Sequence, residues 1–492
     1  MRPSNLIVKA GHMRMKMRGT FSIAVTIVGV GFVSALAACG GNSFTSAGSA
    51  ASSSLAYTPN GGEVQRPAVS ALATETPPAP SQYIQDTWRG LYPIQIFDNH
   101  KNKGGISPQQ AAQDGPLYAA VWGSNSPQLV AAWRTNNPTL PISMYLPVGT
   151  DASQSLFGNL GHTLGWWQTN HPDWILYECD QKTVAFVSGL TSVPLDISNP
   201  DVISYLLNLV GGYAEQNAYS AIGFDLVSLN NDTGGTQDGQ HGCGVFANVG
   251  GVPTWTQKFS GHTVDSNWAS AVLSYLSTAQ TFLHGQTRSL AIWGNNVPAD
   301  ISLGDPNEQQ LIADLDVLFD ESGFARFGRF SSDAEFNNTV AWARYAQGLG
   351  KGFMDVNEWQ NETTVTDAQL DYDLSTYAML KEQAAVTFTA PYGEYGFEHY
   401  FNQYKAVIGT PCAEMYGGPS YLGLGRFAYF RQYSFGLAAV NTSGSQTYTL
   451  KLPQSDYTDV ASGKILHSAI KLLPLSGYLL TVAKHGCAGA VH

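Results

Sequence analysis

Basic side chains are scarce: 25 Lys and Arg stand against 37 Asp and Glu in 492 residues, for a formal net charge of −12. Nucleic acid is held mainly by phosphate contacts from Lys and Arg, so no nucleic-acid partner is expected. Charge of either sign totals only 13%, so the surface has to be built largely from uncharged polar groups. The five cysteines include no CxxC pair, and the scattered histidines offer no His-x-x-x-His pair. No metal and no cofactor are therefore expected. A glycine-rich phosphate loop is also missing: Phe97-Asp98-Asn99-His100 follows the first strand-like run, which argues against a dinucleotide-binding open sheet. There is no internal repeat, and beyond the N-terminus no apolar run is long enough to span a membrane.

What is present begins with Lys9, Arg14, Lys16 and Arg18, followed by an apolar run from Phe21 to Ala38. A basic stretch, a short apolar run and small residues before a cut mark an export signal. The final Leu36-Ala37-Ala38-Cys39 resembles the lipobox of bacterial lipoproteins. That resemblance implies that residues 1–39 are a lipoprotein signal, that Cys39 is lipidated, and that the chain lies in the cell envelope. It would sit on the outer face of the cytoplasmic membrane or at the outer membrane, touching lipid only through its anchor. An uncleaved membrane anchor is the alternative. Residues 40–81 are Gly, Ala, Ser, Thr and Pro with almost nothing large to bury, and such a segment is expected to be a flexible tether. The four remaining cysteines, Cys179, Cys243, Cys412 and Cys487, permit two disulfides in three pairings in an oxidising compartment. Cys179 with Cys243 and Cys412 with Cys487 is preferred, because each pair then lies within one region.

From about Gln82 the chain alternates short β-branched or aromatic runs with helical spacing. Eight runs stand out: Tyr92–Asp98, Tyr118–Trp122, Ile142–Leu146, Ala221–Asp225, Ser289–Trp293, Val317–Phe319, Gly352–Val356 and Ala385–Thr389. Between them Asp201–Gln216, Trp268–Leu283 and Asp367–Lys381 carry apolar residues at helical intervals. Strands alternating with helices imply parallel strands, and eight units over residues 82–410 fit an α/β fold of the (β/α)8 barrel type. Phe397–Ile408 reads as the closing helix. Residues 411–492 change character: Phe427–Asn441, Thr447–Leu452 and Lys471–Val482 are strand-like and broken by tight turns, predicting a small antiparallel β-sandwich.

In such a barrel the reactive groups sit where strands end. Those positions hold Asp98 and His100, Trp122, Tyr145, Asp225, Asn295 and Asn296, Asp320 and Glu321, Asp355 with Asn357 and Glu358, and Tyr392 with Glu394. Acids, amides and aromatics suit a carbohydrate, whose ring faces stack on aromatics while its hydroxyls need fixed partners. The fourth run is apolar up to Asp225 and the sixth up to Asp320-Glu321. Two carboxyl groups facing one pocket are the requirement for glycoside hydrolysis, about 5 Å apart in retaining enzymes and wider in inverting ones. Neighbouring strand residues point to opposite sides, so only one of Asp320 and Glu321 can face the pocket. Glu321, with the longer arm, is preferred and Asp320 is the alternative acid.

The segments Trp166 through His171-Pro172-Asp173-Trp174, Leu195-Asp196-Ile197-Ser198-Asn199-Pro200 and Gly223-Phe224-Asp225 resemble those of (β/α)8 glycoside hydrolases. The acids closing the fourth and sixth runs resemble the arrangement of the α-galactosidase clan. Arg431–Asn441 and Asp459-Val460-Ala461-Ser462-Gly463 are similar to the C-terminal β-domain of such enzymes. The resemblance implies Asp225 as nucleophile and Glu321 as general acid and base, acting on a poly- or oligosaccharide. Asp98, His100, Trp122, Tyr145, Trp166, Asn295, Asp355, Glu358 and Tyr392 are expected to bind that substrate. Asp196 is read as structural, since Asp or Asn before a helix satisfies free amide groups. The long Gly-, Asn- and Asp-rich stretch Asn230–Gly261 is expected to be a loop contributing to the cleft. A monomer is expected. The rival reading is a catalytically inactive glycan-binding lipoprotein, with a metal-dependent deacetylase a weaker third.

Overall fold

The computed structural model describes residues 91–487 except 99–104, 125, 153–159, 188–189, 236, 297–300, 327, 360–364, 382–386, 393–399, 413–414, 419–424, 454–455 and 484–486. The expectations for residues 1–39, Cys39, the tether and His100 lie outside the described residues, as does the side chain of Tyr392. No helix among the described residues is long and apolar enough to cross a membrane.

Each of the eight runs contains or overlaps a parallel strand: β1 (Ile94–Ile96), β2 (Ala120–Trp122), β3 (Ser143–Pro147), β4 (Ala221–Asp225), β5 (Ala291–Asn295), β6 (Val317–Asp320), β7 (Gly352–Glu358) and β8 (Thr387–Tyr392). Strands β3 to β8 form one continuous sheet in chain order. β1 pairs with β2, a bridge between Val121 and Ile142 leads from β2 into β3, and β1 lies in contact with β8. Among the described residues no ladder of backbone pairs joins β1 to β8.

Register carries one face across the sheet. Tyr145 pairs with Gly223, Gly223 with Trp293, Asn295 with Phe319, and Phe319 with Met354. Partners in register share a face, and so do residues two apart along a strand. Tyr145, Asp225, Asn295 and Glu358 are thereby placed on one face, while Phe224, Asp320 and Asp355 belong to the other. On the first face Trp122 stacks on Phe319 at 4.1 Å and on Trp293 at 6.2 Å. In a flat sheet β2 and β6 would stand about 19 Å apart, so the sheet is rolled and this face is its interior. Gly223 makes room for those rings, since a Cβ there would lie 3.3 Å from Trp122 and 2.9 Å from Ser143 Oγ.

Helices follow where capping chemistry starts them, among them α1 (Pro108–Asp114), α2 (Pro127–Trp133), α3 (Leu164–Asn170) and α6 (Pro306–Asp314). Asn199 caps α4 (Pro200–Gln216) with Pro at its first turn, and Asp265 caps α5 (Ser266–His284). Ser332 and Thr366 form capping boxes with Glu335 and Gln369 at the starts of α7 (Asp333–Gly348) and α8 (Asp367–Leu380). In α5, Trp268, Ala271, Val272, Tyr275, Leu276, Ala279 and Leu283 form the buried stripe that the spacing predicts. Asp196 is structural as expected: it accepts from Ser198 N and Oγ and pairs with Lys258 at 3.2 Å.

Two expectations are corrected. The stretch Asn230–Gly261 is not a plain loop: Gly242–Val249 and Val252–Gln257 form a hairpin across Gly250-Gly251, and Tyr177–Glu178 adds a third strand. Both turn glycines have positive φ, which a two-residue hairpin turn of this kind demands. The disulfide Cys179–Cys243 ties the outer strand to the hairpin, and Cys412–Cys487 is the second, so the preferred pairing is the one formed. In place of the expected closing helix, the described part of Phe397–Ile408 holds only a single 3-10 turn, Asn402–Lys405. Tyr404 packs against Tyr400 and Phe401 in that turn, and the chain is extended again at Ala406.

Beyond Gly409 the strands are antiparallel: β9 (Tyr416–Gly418), β10 (Gly425–Tyr433), β11 (Gly436–Asn441), β12 (Tyr448–Lys451), β13 (Tyr457–Asp459), β14 (Ile465–Leu466), β15 (Ala469–Leu472) and β16 (Ser476–Thr481). The larger sheet runs β9-β10-β11-β16-β13-β14 and the smaller pairs β12 with β15. Phe430, Leu437 and Leu480 of the first share a core with Leu450, Ile470 and Leu472 of the second. The other face of the larger sheet packs on α8, burying that helix from Leu370 to Leu380 on every side. Gly477 permits this close approach: a Cβ there would strike Ser375 Oγ and lie 3.0 Å from Tyr372 Cα. Arg431 of β10 is buried and donates to the carbonyls of Ala378, Met379 and Lys381 at the end of α8, where a helix has unpaired acceptors and negative dipole character. The antiparallel sheets and the parallel sheet lie in one compact unit.

Candidate functional site

Asp225 ends β4 on the interior face and is 1% exposed. The next residue, Leu226, has φ +56, and its amide turns back to donate to Asp225 Oδ1 at 2.8 Å. Positive φ in a bulky residue carries strain. The hydroxyl of Tyr145, from neighbouring β3, donates to Asp225 Oδ2. Asn295, ending β5, supplies the third donor: Nδ2 lies 2.9 Å from Asp225 Oδ1.

The same Asn295 nitrogen lies 2.7 Å from Glu321 Oε2. Asp225 and Glu321 therefore share one donor, and those two oxygens can be no farther apart than the sum of the two bonds. Glu321 is the residue after β6, and the pleat that puts Phe319 inside puts Glu321 inside too. Burial raises its carboxyl well above the usual carboxylate range, reinforced by the nearby Asp225 and Glu358, with the Asn295 bond acting the other way. Glu358 reaches this neighbourhood from the end of β7, on the same face as Met354 and Val356.

Asp320 faces outward instead. Its Oδ1 accepts from the amides of Ser322 and Gly323 at 3.2 and 3.1 Å, so it caps the turn that carries Glu321. It is a support, not an alternative acid in the pocket. Asp355, paired in register with Asp320, is likewise outward and not on the face that carries Asp225 and Glu321. It accepts from Asn357 Nδ2 at 3.3 Å, and Gly323 fits against it where a Cβ would lie 2.3 Å from its Oδ1. Burial, then Asp320 and Asp373, push its carboxyl well up. Asn357 Oδ1 accepts from the amides of Phe324 and Ala325, fixing the same loop.

Three further expected substrate contacts are engaged in the fold. Asp98 is buried and accepts from Ser124 Oγ at 2.6 Å and from Trp133 Nε1 at 2.8 Å, pinning the end of β1 to the helix Pro127–Trp133. Trp122 is core, within the stack with Trp293 and Phe319. Trp166 belongs to a separate aromatic cluster on the helix Leu164–Asn170, stacked on His162 at 3.6 Å and edge-on to Trp167 at 5.0 Å. Tyr392 is placed by its backbone alone, paired with Glu358. The residues brought together are thus Asp225, Glu321, Asn295, Tyr145 and Glu358. The bridging role of Asn295 and the donor role of Leu226 were not foreseen, and only the strand-end position of Asn295 pointed to it. Among the described residues no group of His, Cys, Asp and Glu is arranged to hold a metal ion.

No known family model matches the chain, and no curated protein matches it in sequence. Among solved structures it is similar to a noncanonic maltogenic alpha-amylase from Thermotoga neapolitana, with 12% identity, 80% of this chain and 99% of that one covered, and a TM-score of 0.43. It is also similar to an alpha-amylase from Geobacillus thermoleovorans in complex with acarbose (11% identity, 81% and 100% covered, TM-score 0.40) and to one from Malbranchea cinnamomea (9% identity, 84% and 99% covered, TM-score 0.40).

Proposed function

We propose that the eight strands close into a (β/α)8 barrel and that the chain is a cell-envelope glycoside hydrolase cleaving O-glycosidic bonds of a poly- or oligosaccharide with retention. The single observation that carries this reading is the Asn295 amide nitrogen bonded to both Asp225 and Glu321. It brings the two groups to a separation compatible with the roughly 5 Å of retaining pairs and short of the gap an inverting enzyme leaves for water. Their surroundings also differ in the sense that the two roles require. Asp225 is met by three donors, whereas burial, reinforced by Asp225 and Glu358, raises the carboxyl of Glu321 well above the usual carboxylate range, in the direction a proton donor requires.

In the first step a carboxylate oxygen of Asp225 bonds to the anomeric carbon while the bond to the leaving oxygen breaks, and Glu321 gives that oxygen its proton. Esterification removes the charge of Asp225, so one cause of Glu321's raised pKa disappears just as Glu321 must serve as base. In the second step Glu321 takes a proton from water, the water oxygen bonds to the anomeric carbon, and the ester to Asp225 breaks. The proposed cellular setting rests on the lipobox-like Leu36-Ala37-Ala38-Cys39.

The test is a screen of the chain from about Gln82 onward against α- and β-linked polysaccharides and aryl glycosides, with Asp225→Asn and Glu321→Gln beside the wild type. Turnover by the wild type and its loss in both folded variants is expected. Binding without turnover would favour an inactive glycan-binding protein, and full activity in either variant would overturn the assignment.

A further inference from the structure

Asn295 has two ends, and among the described residues only one is occupied. Its Nδ2 carries two hydrogens, and both carboxyl groups draw on that nitrogen. Its Oδ1 is buried and meets no donor among the described residues, in a side chain only 7% exposed. Turning the amide over would set its oxygen against both carboxyl groups, so the orientation is fixed by its neighbours. A buried carbonyl left without a donor is costly. Such a cost is tolerated where a ligand supplies the missing hydrogen.

We propose that Asn295 is the positioning and specificity-determining residue of the site, setting the gap between Asp225 and Glu321 through its nitrogen and accepting a hydroxyl of the bound sugar on its oxygen. This rests on the glycosidase reading for the identity of the ligand but not for the clamp. As a clamp, the residue is held rigidly: it ends β5, between the strands that carry the two acids, and its backbone pairs with Phe319. As an acceptor, it would distinguish a sugar bearing the matching hydroxyl from one lacking it, because the deoxy sugar would leave the carbonyl unpaired in a closed site.

The clamp is tested without activity. Carboxyl carbons of labelled glutamate are followed by NMR across pH in the wild type, Asn295→Ala and Asn295→Ser, with Glu321→Gln identifying the Glu321 signal and circular dichroism confirming the fold. Loss of a donor that favours the ionised form should move the Glu321 midpoint upward in Asn295→Ala, and Asn295→Ser, which keeps one donor, should restore part of the shift. An unmoved midpoint in a folded Asn295→Ala overturns the clamp.

The acceptor is tested with an aryl glycoside that the wild type cleaves and its monodeoxy analogues. The wild type should lose on the order of 100-fold in kcat/KM on one analogue, whereas Asn295→Ala should treat that analogue and its parent within about twofold. Equal discrimination by both proteins overturns the acceptor role. If the wild type cleaves no glycoside at all, the glycosidase reading and the acceptor role fall together, while the titration still decides the clamp.

Discussion

The two faces of one sheet carry two sets of buried acids a residue apart, and they do different work. On the interior face Asp225 and Glu321 meet at one amide nitrogen. On the outer face Asp320 caps a turn and Asp355 contacts Asn357, while Asp373 of α8 accepts from Trp359 Nε1 at 2.9 Å. Burial raises the carboxyls of Glu321, Asp355 and Asp373 alike, so a displaced pKa does not by itself mark a reactive group. What separates the sets is direction: one converges on the opening where strands end, and the other is sealed between sheet and helix.

The sharpest way to break this comparison is to neutralise one member of each set. Asp225→Asn or Glu321→Gln should lower kcat against a cleaved glycan by about 10⁴-fold or more, since each removes a bond-making or proton-carrying group. Asp355→Asn, which keeps the shape of the side chain, should leave kcat within about threefold. Steady-state kinetics on folded variants decides it, and a collapse in Asp355→Asn would place the reacting groups on the wrong face. Glu321→Gln should also stabilise the fold by about 1–2 kcal/mol at neutral pH, because it removes a carboxyl that resists ionisation in the native state. Urea unfolding reads that gain directly.

A buried acid that accepts strong donors within the fold should behave in the opposite way. Asp98→Ala leaves the Trp133 indole and the Ser124 hydroxyl without their acceptor, and it should cost about 2–3 kcal/mol of stability. The pH dependence of turnover should keep its midpoint, since the side chain is engaged by Ser124 and Trp133. A moved midpoint with unchanged stability would instead return Asp98 to the substrate.

Much of this arrangement could be read in the chain. The eight strands announce themselves as β-branched and aromatic runs, and the rule that adjacent residues face opposite ways separated Glu321 from Asp320. Applied to β7, the same rule would have separated Glu358 from Asp355, once Met354 and Val356 are taken as interior. What was missing was register, because only the pairing of Met354 with Phe319 says which face of β7 is inside. The partner of Asp98 was illegible for a different reason: Trp133 lies 35 residues away, and only packing brings its indole there. Helix α8 shows a third limit. Its spacing suggests one apolar face, but β11 and β16 cover a second one, and two-sided burial leaves no simple periodic signature. The hairpin across Gly250-Gly251 was the one element with a clear local signal that was read as loop, its Val-Gly-Gly-Val lying between two alternating runs.

The seam between α8 and the C-terminal sheet offers a further buried acid against which the comparison can be sharpened. Asp371 of α8 is pushed up to about 9, first by burial and then by Asp459 of β13, with which it shares a hydrogen bond. Its folded-state pKa lies above the unfolded value near 3.9, so the stability it contributes is full below about pH 4 and is lost as pH rises toward 9. Asp371→Asn should therefore unfold at higher denaturant than the wild type at pH 8, by about 1–2 kcal/mol, with the difference vanishing near pH 4. Its kcat should be unchanged at every pH, because this acid faces a seam and not the strand ends. A stability difference independent of pH would show that Asp371 titrates alike in the folded and unfolded chain, so that neither burial nor Asp459 raises it.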